Sequence, residues 1–235
     1  MSKELTLQLA GELEDQRVDF AVRRLVAAGY TGRDRANVQA HIDELAHQGI
    51  PAPESFPTLY EIDLALLTTW DEVAPSSATV SGEAEAVLLF PTDRLEDAFV
   101  SLGSDFTDRI EERRSIPKSK QQPKPVGTRV WRYRDVAAVW DEIAVRSWVE
   151  PDAGRPLYQS GKLSQLLAPA ALIEQLGAKL SAGGMAGTIM LMGTVPLREG
   201  KFQYTPYFGC DLETPSGAKL AYSCKVNLPA SAPAA

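Results

Sequence analysis

Hydrophobic positions recur at two different spacings along this chain. Leu5, Leu7 and Leu9 alternate with polar residues, a period of two that predicts a strand. Residues 19–28 are apolar without a decisive period, and Gly29 to Gly32 reads as a turn. From Asp34 the period lengthens. Val38, Ile42 and Leu45 recur at helical spacing, and Gly49 stands where a helix would stop, so a helix is expected over 34–48. Pro51, Pro53 and Pro57 then enforce an extended passage.

Residues 58–68 are mixed in pattern. The stretch 78–90 reads as a strand running into the core, and 98–103 as another that ends at Gly103-Ser104-Asp105. A short helix fits 107–114, followed by a basic, proline-broken loop over 115–125. Val136, Val139, Trp140 and Ile143 predict an amphipathic helix over 134–143; Leu172, Ile173, Leu176 and Leu180 predict one over 168–181, after Pro169. Strands are expected at 145–149, 187–192, 202–208 and 218–227, and a disordered tail at 229–235. There is no internal repeat. Strands and helices do not alternate regularly, which disfavours a doubly wound sheet and points to an α+β fold built on a large, mostly antiparallel or mixed sheet. The expected division is an N-terminal strand or appendage over 1–29, one main domain over 30–228, and the tail.

The 235 residues suffice for a full core, and the composition is that of an ordinary soluble globular protein. The net charge of -7 argues against nucleic acid as a partner, and an anionic substrate would need local cations or a metal. Cys210 and Cys224 form no CxxC or Cys/His cluster, which excludes a zinc-finger site and a disulfide framework; they are read as reduced thiols near the C-terminal strands. Met1 to Thr6 carries charges where a signal peptide needs an apolar core, and no run approaches the ~20 apolar residues of a membrane helix. The expectation is a cytoplasmic protein with no membrane partner.

Candidate chemistry lies in the carboxylates. Glu83 and Glu85 are two apart on a predicted strand and so share one face, just before the apolar run Val87 to Phe90. Like charges beside a core repel and resist desolvation, and a divalent cation removes both penalties. Hard ions such as Mg²⁺ and Mn²⁺ favour such oxygens. The same pair would also suit a solvated strand edge. Asp105 ends the next strand and offers a third ligand or, like Asp108, a loop or cap carboxylate. His41 and Glu44 are three apart on the predicted helix, and a histidine oriented by a carboxylate can serve as a general base, or simply form a surface pair. His47 has no such partner and reads as a surface residue.

These pieces occur in a familiar order. Asn37-Val38-Gln39-Ala40-His41-Ile42-Asp43-Glu44 resembles the Asn-Tyr-x-x-His-x-x-Glu segment of the fumarylacetoacetate hydrolase superfamily. Gly82-Glu83-Ala84-Glu85 resembles its Glu-x-Glu strand, and Asp105-Phe106-Thr107-Asp108-Arg109 its Asp-x-(Ser/Thr)-Ala-Arg segment. Lys118-Ser119-Lys120 is similar to its lysine loop, Gln159-Ser160-Gly161-Lys162-Leu163 to its Gln-x-Gly loop, and Gly193-Thr194-Val195-Pro196 to its Gly-Thr-Pro strand end. The matches span roughly residues 30 to 225 and point to a bacterial branch of the superfamily.

The resemblance implies a mixed β-sheet roll with peripheral helices, and Mg²⁺ or Mn²⁺ held by Glu83, Glu85 and Asp105. His41, oriented by Glu44, would move a proton or activate water. Lys120, with Lys118 as the alternative, would stabilise a carbonyl or enolate oxygen; Arg109, Gln159 and Thr194 would contact a small anionic oxo acid. The implied enzyme is a metal-dependent hydrolase of a C–C bond in an acylpyruvate or related 2-oxo or 2,4-dioxo acid. The alternatives are an oxo-acid tautomerase, isomerase or decarboxylase (a lyase) on the same site, or a non-catalytic relative. A homodimer is implied as well. The chain departs from the pattern at Val38 for tyrosine, at Thr58-Leu59-Tyr60-Glu61 for Phe-Leu-Lys, at Glu111-Glu112 for a glutamine, and at Val195 for proline.

Overall fold

The computed structural model describes residues 3–10, 16–47, 52–151 and 156–230, apart from the side chains of His41, Glu44 and Leu45. The expected helix stop at Gly49, the proline at 51 and tail residues 231–235 lie outside the described residues.

In chain order the strands are Lys3–Leu9 (β1), Arg17–Val22 (β2), Arg24–Gly29 (β3), Thr58–Ile62 (β4), Leu67–Thr68 (β5) and Glu72–Val73 (β6). Val80–Ser81 (β7), Ala84–Phe90 (β8), Phe99–Ser104 (β9), Thr107–Asp108 (β10), Lys124–Pro125 (β11) and Arg129–Arg132 (β12) follow. The last are Ala144–Trp148 (β13), Gln159–Lys162 (β14), Thr188–Thr194 (β15), Tyr207–Glu213 (β16) and Lys219–Val226 (β17). Among the described residues these form an eight-stranded sheet, β2-β1-β12-β9-β8-β15-β3-β4, a five-stranded sheet, β14-β13-β16-β17-β6, and two two-stranded pairs, β10-β7 and β11-β5. In the larger sheet β1 with β12 and β15 with β3 run parallel, and the other pairs antiparallel. The fold is therefore α+β with mixed sheets, as the irregular order of elements predicts.

The period of two sorts β8 between two cores. Ala84, Ala86, Leu88 and Phe90 face one cluster, shared with the five-stranded sheet (Phe208, Cys210, Leu212) and with Trp140, Leu172 and Leu176. Val87 and Leu89 face a second cluster, which gathers Leu7, Phe20, Leu25, Ile62 and Ile189. That second cluster draws side chains from both edge strands and from the centre of the same sheet. Only a sheet curled on itself brings these together, so the large sheet is a half-barrel with its own interior.

Residues read as an N-terminal strand or appendage supply β1 to β3 of this sheet, with β3 hydrogen-bonded between β15 and β4. The helix expected over 34–48 is Arg35–His47 (α1). The stretch 78–90 is not one strand: β7 pairs with β10 and β8 with β9 and β15, and the break falls at Gly82-Glu83. The expected loop 115–125 contains a turn of helix, Ile116–Ser119, capped by Ser115. The helix expected over 134–143 tightens after one turn into a 3-10 segment, Ala137–Glu142, and that over 168–181 breaks at Gly177, whose φ is +48°. The strand expected at 202–208 begins only at Tyr207, because Pro206 has no N–H to give a ladder. No helix among the described residues is long and apolar enough to cross a membrane.

Candidate metal centre

The break between β7 and β8 creates the site. Glu83 lies in the break and Glu85 is the second residue of β8, with Gly103 and Ser104 of β9 opposite. The Asp105 N–H donates to the Glu83 carbonyl at 3.0 Å, and the Glu83 N–H to Ser104 Oγ at 3.1 Å. These bonds place all three carboxylates at one end of the β8–β9 hairpin. One ligand oxygen from each of Glu83, Glu85 and Asp105 lies within 4.8 Å of the other two. Ligand oxygens about 2.1 Å from an Mg²⁺ ion lie about 3 Å apart when adjacent and about 4.2 Å apart when opposite, so one such ion would draw these three oxygens closer together.

The oxygens differ in what already holds them. Glu85 is buried, and its Oε2 accepts from the Gly193 N–H at 2.7 Å. Gly193 has φ +97° where the β8–β15 register shifts, and a Cβ there would sit 2.0 Å from Thr31 Oγ1. Only glycine turns that N–H onto the carboxylate. Asp105 is completely buried. Its Oδ2 accepts from Lys120 Nζ, and its Oδ1 lies 3.1 Å from Lys124 Nζ without an aligned hydrogen bond. Oδ1 thus keeps lone pairs for a cation. Glu83 is half-buried and pairs with Arg109 Nη2 at 3.0 Å.

Burial drives the Glu85 carboxyl well up, with the neighbouring Asp105 charge adding to it. Asp105 goes the other way: burial pushes it up, but Lys120 and Lys124 outweigh burial and hold it below the usual range. Burial pulls the two lysines down, and Asp105 reverses this for Lys120, which is raised, but not for Lys124, which stays lowered.

A stability prediction follows from Glu85. With its folded value raised, folded metal-free protein holds a proton there that the unfolded chain has lost. Stability therefore falls as pH rises from the ordinary glutamate range, about pH 4, through the raised value. Asp105 acts only below that window, where its charge is lost. Glu112, raised mainly by burial, has the same sign as Glu85 but is not in the ligand cluster. Thermal melts should thus show an Mg²⁺- or Mn²⁺-induced rise in Tm that grows with pH. A rise independent of pH would count against Glu85 as a ligand.

The cations come from short elements around the cluster. Asp108 caps the helix Arg109–Glu112, accepting from the N–H groups of Ile110 and Glu111 at 3.0 and 3.2 Å. That helix turns Arg109 inward, where Nε donates to Ser81 Oγ at 2.7 Å, Nη1 lies 3.1 Å from Glu112, and the guanidinium stacks on Phe202 at 4.0 Å. Ile116–Ser119 delivers Lys120, which also lies 5.8 Å from the Tyr60 ring centre, whereas Lys118 is exposed. Burial raises the Tyr60 hydroxyl to about 12.

Gln159 and Thr194 are both tied into the fold by hydrogen bonds. Gln159 is fully buried, and all its amide capacity is engaged. Oε1 accepts from Ala84 N–H at 2.8 Å and Ser147 Oγ at 2.9 Å, while Nε2 donates to Thr194 Oγ1 and the Val195 carbonyl, both at 2.7 Å. It fastens β8 to β15 and β13, with both amide ends engaged inside the protein. Thr194 lines the cavity, but its hydroxyl already donates to the Ala84 carbonyl at 2.8 Å. His41 and Glu44 ride on α1, whose Asn37 and Val38 line the cavity; their own side chains lie outside the described ones. Lys124 and Glu112 went unread as site residues. The Pro123-Lys124-Pro125 sequence, which forces extended backbone, was the available sign for the first. Glu61, at a departure from the superfamily pattern, lies off the site and pairs with Arg24.

Glu83, Glu85, Lys120 and Arg109 open into a cavity of about 1080 Å³ walled by α1, the Arg109–Glu112 helix and the segment after β15. No curated protein matches the sequence. Residues 28–222 match a protein family described as protein of unknown function (DUF2848). Solved structures share the fold. A yeast fumarylacetoacetate hydrolase family protein is 16% identical over 91% of this chain and 97% of its own, with a TM-score of 0.61. Fumarylacetoacetate hydrolase from psychrophilic Exiguobacterium antarcticum is 19% identical over 92% and 80%, at 0.60. A 5-carboxymethyl-2-hydroxymuconate delta-isomerase from Mycobacterium smegmatis is 18% identical over 89% and 80%, at 0.59. The fold is thus fumarylacetoacetate hydrolase-like.

Proposed function

The chain belongs to the DUF2848 family, and from the geometry of its carboxylate–lysine site we propose that it is a divalent-metal-dependent enzyme that hydrolyses a C–C bond in an acylpyruvate or related 2-oxo acid. The observation that carries this reading is the triad Glu83, Glu85 and Asp105, converging within 4.8 Å beside Lys120 at the inner end of a large cavity. Mg²⁺ or Mn²⁺ on these oxygens would act as a Lewis acid towards the oxo-acid oxygens and the charge of a departing enolate.

The residues do the rest. With all four carboxylates (Glu83, Glu85, Asp105, Glu112) ionised against three cations (Lys120, Lys124, Arg109), as when a metal has displaced the Glu85 proton, the side chains would carry one negative charge in excess. A bound divalent ion would make the cluster positive overall and so suited to an anionic substrate. Lys120, held protonated by Asp105, offers N–H donors where negative charge develops on oxygen. His41, three residues before Glu44 in the sequence of α1, would take the proton of the attacking water. The hydroxyl adds to the acyl carbon, the C–C bond breaks, and the released enolate of pyruvate takes a proton at carbon. The products are a carboxylic acid and pyruvate.

Acylpyruvates incubated with Mn²⁺-loaded protein should yield two products whose summed mass exceeds the substrate by one water. Products of unchanged summed mass, or loss of CO₂, would instead assign the site to a tautomerase, isomerase or decarboxylase.

A further inference from the structure

Single apolar side chains in solvent are ordinary, but several gathered at one cavity mark a surface that something else covers. Among the described residues of this protein, the exposed ones are Trp70, Ile110, Phe202 and Tyr204, and the last three line the same cavity. Ile110 is 52% exposed, Phe202 43% and Tyr204 44%. Ile110 follows Arg109 on its short helix, and Phe202 lies over the Arg109 guanidinium at 4.0 Å, so these two apolar side chains adjoin the charged cluster, with Tyr204 on the wall of the same cavity.

Of the charged residues around it, Arg33, Asp34 and Arg109 have other work, and the exposed Arg113 is left facing solvent at the cavity wall. Arg33 makes two 2.7 Å bonds to Asp141 and donates to the Leu166 carbonyl. Asp34 accepts from the first N–H groups of α1, and Arg109 is held by Ser81, Glu83 and Glu112. Pockets that take drug-sized ligands measure roughly 300–1,000 Å³. A cavity of about 1080 Å³ leaves most of its space empty once the two or three carbons of an oxo-acid head are seated.

We propose that Ile110, Phe202 and Tyr204 form a subsite for an aryl or long alkyl substituent, so that the substrate is a 2-oxo acid with a bulky apolar tail rather than a second carboxylate. The proposal rests on the oxo-acid reading of the metal site. It also gives Phe202 two roles: it shields Arg109 from water and forms a wall of the tail subsite.

Calorimetry on Mn²⁺-loaded protein with oxamate, N-phenyloxamate and N-oxalylglycine tests it, since these share an oxo-acid head and differ only in the tail. N-phenyloxamate should bind about 10- to 100-fold tighter than oxamate, the range for burying a phenyl-sized group. That ratio should fall towards one in Ile110→Ser, and in Phe202→Ala as an independent variant. If oxamate binds but the phenyl group adds nothing, or the ratio survives both variants, the subsite is overturned and the oxo-acid reading stands. If N-oxalylglycine binds tightest and loses its advantage in Arg113→Gln, the tail is anionic and the exposed Arg113 on the cavity wall receives it. If none of the three binds, the oxo-acid reading fails and the subsite with it.

Discussion

Glu85→Ala is expected to abolish divalent-metal binding while leaving the metal-free protein as stable as the wild type, or more so. Altering a residue that merely supports a metal ligand typically costs 10- to 100-fold in affinity, so loss of a ligand should cost at least about 100-fold, and turnover should fall with it. Ordinarily a buried deletion destabilises. Here the deleted group is an acid that burial and Asp105 hold well above its normal range, so its removal relieves a penalty that offsets the lost packing. Glu85→Gln refines the test. Its amide oxygen still accepts from the Gly193 N–H, but the charge is gone, so the fold should persist and metal affinity should not. A Glu85→Ala protein that binds Mn²⁺ like the wild type would remove Glu85 from the site.

Asp105→Ala should behave in the opposite way. Asp105 faces two lysines that are themselves buried, Lys120 and Lys124. Its removal leaves two buried ammonium groups without their nearest counter-charge, and breaking a buried pair in this manner costs about 3–5 kcal/mol. That is a large part of the 5–15 kcal/mol expected for a whole domain, and amounts to a Tm lower by about 6–20 °C. Denaturant unfolding of the metal-free variant measures it. Lys124 also donates to the Phe106 and Gln122 carbonyls at 2.7 and 3.1 Å, so Asp105→Ala with Lys124→Met should not recover full stability. An Asp105→Ala protein as stable as the wild type would mean that the two lysines are solvated, contrary to the arrangement described above. Two neighbouring carboxylates with opposite effects on stability are the signature of a site in which one carboxylate balances buried cations and the other awaits one.

The period of two made the strands legible, and the helical spacing of Val38 and Ile42 made α1 legible, because burial on one face writes itself into sequence. It could not show the break at Gly82-Glu83, since Val80 and Ser81 continue the alternation while pairing with a different strand. Glu83 and Glu85 were legible as a pair by their spacing, although Glu83 lies in the break and its hydrogen bonds with Asp105 and Ser104, not one strand face, bring the three carboxylates together. Which cations meet them was not, because Lys120, Lys124 and Arg109 arrive from three separate short elements whose directions are set by tertiary contacts. Gln159 shows the limit of motif reading. Its sequence context was recognised, but its fourfold hydrogen bonding, which makes it a strut, depends on Ala84, Ser147, Thr194 and Val195 meeting in space. Exposed Ile110 and Phe202 carried no signal at all, since a lone apolar residue in a sequence does not reveal whether it is covered.

The central claim is that Glu83, Glu85 and Asp105 hold a divalent cation that in turn engages an oxo acid. The most direct test is calorimetric titration of chelator-treated wild-type protein with Mg²⁺ and Mn²⁺, with and without oxalate. One site per chain is expected, with an affinity that rises when oxalate is present, because the dianion would complete the ion's coordination and the ion-bound cluster would be positive. Absence of binding under both conditions would contradict it, and would leave the three carboxylates as an acidic cluster balanced only by Lys120, Lys124 and Arg109.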